Sequence, residues 1–295
     1  MRPPLFEAVP NFSEGRDEDR ISRIVAAVRG VRILGLHSDP DHNRSVLTFA
    51  GEEEAVLEAA VALAEACARE IDLTSQTGEH PRMGSLDVLP FVPLEGATLD
   101  DAARLARRAG EKIGALGFLV YLYEAAATAP HRSNLADVRR GGYKGLATRL
   151  DDPLWQPDFG PSEINPHRGA VAVGARPFLM AFNAYLDTDD VEVARAVARV
   201  VRARDGGLPG VKALGLQVGG RAQVSMNLTD LEKTSMAVAL EAVRAAAAEH
   251  GASVESTELV GLAPLEAMLE VARHYLNLRE LGREHVLEAA LWDKG

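Results

Sequence analysis

One order of secondary elements, met twice, constrains this chain more than any other feature. Short β-branched or aromatic runs predict strands at 5–9, 31–37, 44–50, 86–92, 118–123 and 169–173, then at 178–185, 211–218, 222–227 and 254–260. Apolar residues at helical spacing predict helices at 17–29, 53–71, 99–115, 189–204, 231–250, 264–275 and 283–291. Asp230 stands where an N-cap belongs, Pro264 where a first helical turn tolerates proline, and Gly219-Gly220 reads as a two-residue hairpin turn. The first half therefore runs β-α-β-β-α-β and then α-β, and the second half, from Phe178, runs β-α-β-β-α-β and then a helix. This is split-βαβ, or ferredoxin-like, order. The expected fold is α/β (α+β): two related subdomains, 1–175 and 176–295, with mixed sheets and helices on the outer faces. A proline-rich stretch without periodicity, 151–169, reads as an ordered connector, and loops of that length are usually functional.

Composition narrows what such a fold can do. With 47% apolar and 25% charged residues in 295, the chain has a globular balance and can bury a core without disulfides. Its single cysteine, Cys67, excludes an intrachain disulfide and a cysteine-based zinc site. Lys+Arg of 32 against Asp+Glu of 43 gives 32 − 43 = −11, with no basic tract, so neither nucleic acid nor an anionic membrane is an expected partner. No signal-like start and no apolar run of about 18 residues occur, so the expected location is the cytoplasm. Phosphate-loop, dinucleotide, zincin and nucleophile-elbow motifs are missing from the sequence. The eight histidines form no i, i+4 pair, and only the His37, Asp39, Asp41, His42 loop groups metal-type ligands, so no metal is expected.

The segment Thr77-Gly78-Glu79-His80-Pro81-Arg82-Met83-Gly84-Ser85-Leu86-Asp87-Val88 carries the most chemistry. Glycines on both sides permit close backbone approach and Pro81 stiffens the turn, which would hold His80 rigidly. Imidazole titrates at about 6.5, which suits proton transfer near neutrality, and Arg82 could grip a carboxylate. The same letters also fit a surface turn with an incidental histidine. The stretch Asp39-Pro40-Asp41-His42-Asn43-Arg44 by itself reads as ordinary turn chemistry, and Pro10-Asn11-Phe12-Ser13-Glu14-Gly15-Arg16 as a strand-to-helix loop that caps a helix. In Gln223-Val224-Ser225-Met226-Asn227 alternation gives one core face and one face open to solvent or to a cleft.

Taken in order, these segments resemble the formiminotransferase domain family (glutamate formimidoyltransferase). The stretches that carry the resemblance are E-A-V-P-N-F-S-E-G-R at 7–16, N-R-S-V-L-T-F at 43–49, G-E-H-P-R-M-G-S-L-D-V at 78–88, V-Y-L-Y at 120–123, P-D-F-G-P-S at 157–162, G-A-R-P-F-L-M-A-F-N at 174–183, A-Q-V-S-M-N-L at 222–228 and L-V-G-L-A-P-L at 259–265. The resemblance implies two α/β subdomains, a tendency to dimerise, and transfer of the formimino group from N-formimino-L-glutamate to N5 of tetrahydrofolate. The products are 5-formiminotetrahydrofolate and L-glutamate, a step of histidine degradation, with tetrahydrofolate as co-substrate. It implies His80 as the catalytic residue, with Asp39 between the second and third strands beside it. The folate-contacting connector maps onto Gly160, Pro161, Ser162, Glu163, Ile164, Asn165, Pro166, His167, Arg168 and Gly169. Animal relatives carry a fused cyclodeaminase, so that later step is expected of a separate enzyme.

The residue types fit this chemistry. Attacking N5 loses a proton and the departing amine gains one, which a single imidazole can serve, for about 10²–10⁴-fold. A carboxylate such as Asp39 would stabilise the cationic amidine, and Arg44, Arg82, Arg168 and Arg176 are candidates to meet the substrate carboxylates. Formyl transfer between 5-formyltetrahydrofolate and glutamate, and a non-catalytic folate-binding protein, are the competing readings. Retention of His80 and Arg82 favours an enzyme.

Overall fold

The computed structural model describes residues 3–40, 42–76 and 82–292. Asp41 and the 77–81 segment, His80 included, lie outside the described residues. The chain divides into two compact units, Met1–Pro177 and Phe178–Gly295.

Unit 1 is built on a sheet whose strands are β1 (Leu5–Ala8), β2 (Asn11–Phe12), β3 (Arg32–Asp39), β4 (Arg44–Glu52), β5 (Leu86–Pro93), β6 (Leu119–Glu124) and β7 (Ala170–Ala175). β1 and β2 follow each other in one lane between β4 and β5, interrupted at Val9-Pro10 because proline cannot donate to the ladder. The strand order is β3–β4–(β1, β2)–β5–β7–β6. Its first four lanes are antiparallel and carry the ferredoxin-like arrangement, while β7 and β6 extend it in parallel. Helices α1 (Glu18–Ala26), α2 (Glu53–Glu70) and α3 (Leu99–Ala115) cover one face. Their apolar stripes bury Phe6, Phe12, Leu47, Phe49, Phe91 and Val173. On the other face a smaller core of Tyr121, Tyr123, Val88 and Ala172 packs under α4 (Leu135–Val138), α5 (Leu146–Leu150) and the connector.

Unit 2 repeats the plan. β8 (Met180–Leu186), β9 (Val211–Val218), β10 (Arg221–Leu228) and β11 (Val254–Val260) form an antiparallel sheet in the order β11–β8–β10–β9. Helices α6 (Val191–Val201) and α7 (Met236–Glu249) bury its Phe182, Val224 and Met226 face. The β9–β10 hairpin turns on Gly219 and Gly220, both at positive φ. The helix expected from residue 231 begins instead at Met236, capped by Ser235. Asp230 accepts the Lys233 N–H at 3.2 Å within a preceding turn, and the Thr234 hydroxyl donates to the Pro209 carbonyl at 2.7 Å, so this stretch is held off the helix. The last expected helix is divided into a 3₁₀ turn, Arg283–His285, and α9 (Leu287–Trp292). A further helix, α8 (Leu265–Leu276), follows Pro264.

Two devices fix the segments that carry the chemistry. Phe159 of the connector seats its ring against Gly110 of α3 and its Cβ and backbone against Gly114, and Gly160, at φ +102°, lies so close to the Phe118 carbonyl that a Cβ would collide with it. The second device is the Glu14 carboxylate, 2% exposed. Its Oε1 accepts the backbone N–H groups of Gly15, Arg16 and Asp17 at 3.1, 3.0 and 3.1 Å, at the start of α1. Its Oε2 accepts from Arg20 at 2.6 Å and from the Gln76 side chain at 3.3 Å. Asn43 completes the knot, accepting the Gly15 N–H at 2.9 Å and donating to Gln76. Burial alone would raise the Glu14 pKa, but the Arg16 and Asp17 amides and Arg20 outweigh it and hold the carboxyl below the ordinary 4.5.

Gly160→Ala is expected to lower the thermal midpoint distinctly more than Gly206→Ala, whose φ of +93° opens onto free space. At Gly160 the backbone collision adds to a conformational cost of about 1–3 kcal/mol, and equal shifts would contradict the packing described. Glu14→Gln is expected to destabilise by about 1.5–3 kcal/mol at neutral pH, the range of hydrogen bonds to a charged group. Because the folded-state pKa is depressed, the stabilisation by Glu14 is present above 4.5 and fades as pH falls through the lower folded value. Denaturant titrations of both proteins should therefore converge on acidification, and a gap independent of pH would contradict the assignment.

Candidate active site

The motif segments, far apart in sequence, meet on the face of sheet 1 opposite α1–α3. Strand alternation turns Phe12, Leu47 and Phe49 into the helix-side core, so Asn11, Arg44 and Val46 face the other way. Arg44 donates to the Asn11 side-chain oxygen across the β2–β4 pairing. Asp87, 1% exposed, accepts the Met83 N–H and an Arg139 guanidinium N–H, both at 2.7 Å. Arg139 follows directly on α4, so this ion pair ties the second layer to β5. Arg82 donates to the His42 carbonyl at 3.2 Å, and its own carbonyl accepts the Tyr143 N–H at 2.7 Å.

These groups share one electrostatic environment. Burial pushes the Arg44 pKa down; Asp87 opposes that shift, while Arg139 and Arg82 add to it. Arg82 is also lowered by burial and supported by Asp87. Arg176, at the end of β7, lies within electrostatic reach of Tyr123 and of Glu7 on β1, and Arg139 also acts on Tyr123. Three arginines, 44, 82 and 139, thus act on one buried carboxylate, Asp87, which Arg139 touches at 2.7 Å, while Arg176 acts on Glu7. Such a face can hold anionic groups in a chain whose net charge is −11.

Asp39 ends β3 opposite Arg44, and its carboxylate accepts the His42 N–H and meets His42 Nδ1, each at 2.9 Å. Gly15 permits this closeness, since a Cβ there would strike the Asp39 carbonyl and the Arg44 amide. The catalytic expectation for His80 falls outside the described residues. The described ends of that segment are Gln76, bound to Asn43 and Glu14, and Arg82. The connector is pinned at both ends. Asp158 pairs with the buried Arg132 at 2.6 Å and accepts the Leu122 N–H at 2.7 Å, and the Ser85 N–H donates to the Arg168 carbonyl at 2.9 Å. Gly160, Pro161, Ser162 and Glu163 lie exposed between these anchors. His167 pairs with Asp72 at 2.9 Å. Arg168 does not join the arginine group, because its guanidinium caps α3 by donating to the Leu116 carbonyl.

Asn11, Asp87, Arg139 and Glu7 lie on or beside this face although sequence reasoning assigned them no role. Asn11, Asp87 and Glu7 lie inside matched motifs, which was signal enough; Arg139, in a plain Arg-Arg pair, had none. Among the described residues no group of three or more His, Cys, Asp or Glu is arranged to hold a metal. Among the described residues no helix is long and apolar enough to cross a membrane.

Comparison with known proteins accounts for both units. The N-terminal subdomain of the formiminotransferase domain matches residues 5–176, and the formiminotransferase domain proper matches 181–289. A glutamate formimidoyltransferase of Thermoplasma acidophilum is 44% identical over 292 residues, covering 96% of each chain. That of Streptococcus pyogenes serotype M1 is 40% identical over 94% of each. The formimidoyltransferase-cyclodeaminase of Sus scrofa is 42% identical over 95% of this chain, which spans 54% of that longer protein. The chain belongs to the formiminotransferase domain family.

Proposed function

We propose that this protein is a glutamate formimidoyltransferase, moving the formimino group of N-formimino-L-glutamate to N5 of tetrahydrofolate. One observation carries the reading: residues of separate motifs, Asn11, Arg44, Arg82 and Asp87, converge with Arg139 into one cationic face. Both substrates bring carboxylates, and guanidinium groups held by neighbours bind them with little loss of side-chain freedom. The names of the two end-to-end relatives supply the reaction that fits such a face.

In this mechanism N5 attacks the amidine carbon and a tetrahedral centre forms. His80 takes the N5 proton and returns one to the glutamate nitrogen as its bond to carbon breaks. Asp39 supplies negative charge to the amidinium, and Arg44, Arg82, Arg139 and Arg176 meet carboxylates. Holding two substrates in line supplies much of the rate by orientation. Folate runs along the connector, where Gly160–Glu163, Pro166 and His167 are exposed. The enzyme works in the cytoplasm as a homodimer and passes 5-formiminotetrahydrofolate to a separate cyclodeaminase.

Purified protein given N-formimino-L-glutamate and tetrahydrofolate should release glutamate and 5-formiminotetrahydrofolate; a parallel reaction with 5-formyltetrahydrofolate and glutamate should be far slower. Formyl transfer alone, or no transfer, would overturn the reading. His80→Ala should cut transfer by about 10²–10⁴-fold while tetrahydrofolate still binds, and near-normal turnover would remove His80 from the mechanism.

A further inference from the structure

Glu7 sits in mid-strand on β1, paired with Ala50 of β4 and Val92 of β5, neither of which offers a side-chain hydrogen bond. Its neighbours Phe6 and Ala8 enter the core under the helices, so the Glu7 carboxyl points to the face that carries Asn11 and Arg44. The residue is 6% exposed. Among the described residues nothing donates a hydrogen bond to its carboxylate or forms an ion pair with it; Arg176 reaches it only through its field. Burial raises its pKa and Arg176 opposes the rise. Its oxygens are not among the fully sealed polar atoms, so a ligand can reach them, and an acid held so nearly buried without a protein partner is a candidate for one supplied by a ligand. A strand position flanked by alanine and valine would otherwise take an apolar residue.

We infer that Glu7 contacts substrate in the transfer site, accepting a pair of N–H bonds from a planar N–C–N edge. This rests on the function proposed above. Two ligand groups present that edge: the formimidoyl amidine and the 2-amino/N3–H side of the pterin. Both match the two oxygens of a carboxylate, as a guanidinium does, and a neutral glutamine in its place can accept with only one oxygen.

The test compares wild type with Glu7→Gln, measuring the tetrahydrofolate Kd by titration and the KM for N-formimino-L-glutamate at saturating folate. We expect a loss of about 10- to 100-fold in one of the two, the scale of hydrogen bonds to a charged group. A change confined to KM names the formimidoyl group as the partner, and a change in Kd names the pterin. If both constants stay within twofold while the thermal midpoint rises, Glu7 has no ligand and the inference falls. Should the variant fail to fold, infrared difference spectra of the wild type decide: a carboxyl band that shifts on adding either substrate supports the contact, and unshifted bands with both overturn it. Wild-type protein that binds folate without transferring would sink the functional reading, whereas an active wild type with an unaffected variant sinks only the role of Glu7.

Discussion

A single buried carboxylate organises the business end of unit 1. Glu14 receives three successive backbone amides at the start of α1, the Arg20 guanidinium and the Gln76 amide. Through Asn43 it also secures the β3–β4 turn. Each of these bonds is charge-assisted or buried, and a carboxylate with so many donors is costly to disturb. The consequence is geometric. Three chain segments separated by about thirty residues each are brought into register, with Gly15 allowing backbones to approach where any side chain would intrude. The ends of the segment that bears His80 are thereby attached to the same framework as Asp39 and Arg44.

Electrostatics explains how an acidic protein handles acidic substrates. Its net charge of −11 is spread over the whole chain, but screening confines each surface charge to about 8–10 Å. On the proposed reading a substrate meets the local group of Arg44, Arg82 and Arg139 around Asp87. Burial, and then repulsion from neighbouring arginines, depresses the Arg44 and Arg82 pKa values, and an incoming carboxylate would offset the repulsion.

Much of this was legible in the letters. The twice-repeated element order implies the 4-1-3-2 lane order found in both sheets, since right-handed crossovers leave few alternatives. Gly219-Gly220 announced its hairpin because two consecutive positive φ values favour glycine. Other features depend on contacts no local pattern reports. β2 is a separate strand only because proline interrupts its lane, and α4 and α5 are too short for a periodic signal. Arg168 and Arg139 show the limit at the site. Both are arginines in irregular chain; one turns to the carbonyl end of α3 and the other to Asp87, and only the tertiary path decides which. Asp230 has the chemistry of a cap, yet the Thr234–Pro209 bond draws the following turn elsewhere.

We propose that the arginine face recognises substrate carboxylates. Calorimetric titration of N-formimino-L-glutamate into wild type and Arg44→Met tests it most directly, because methionine keeps much of the apolar stem and removes the charge. The account predicts saturable binding by the wild type, weakened at least tenfold in the variant, with the difference shrinking as salt is raised. Equal affinities at low salt would contradict it.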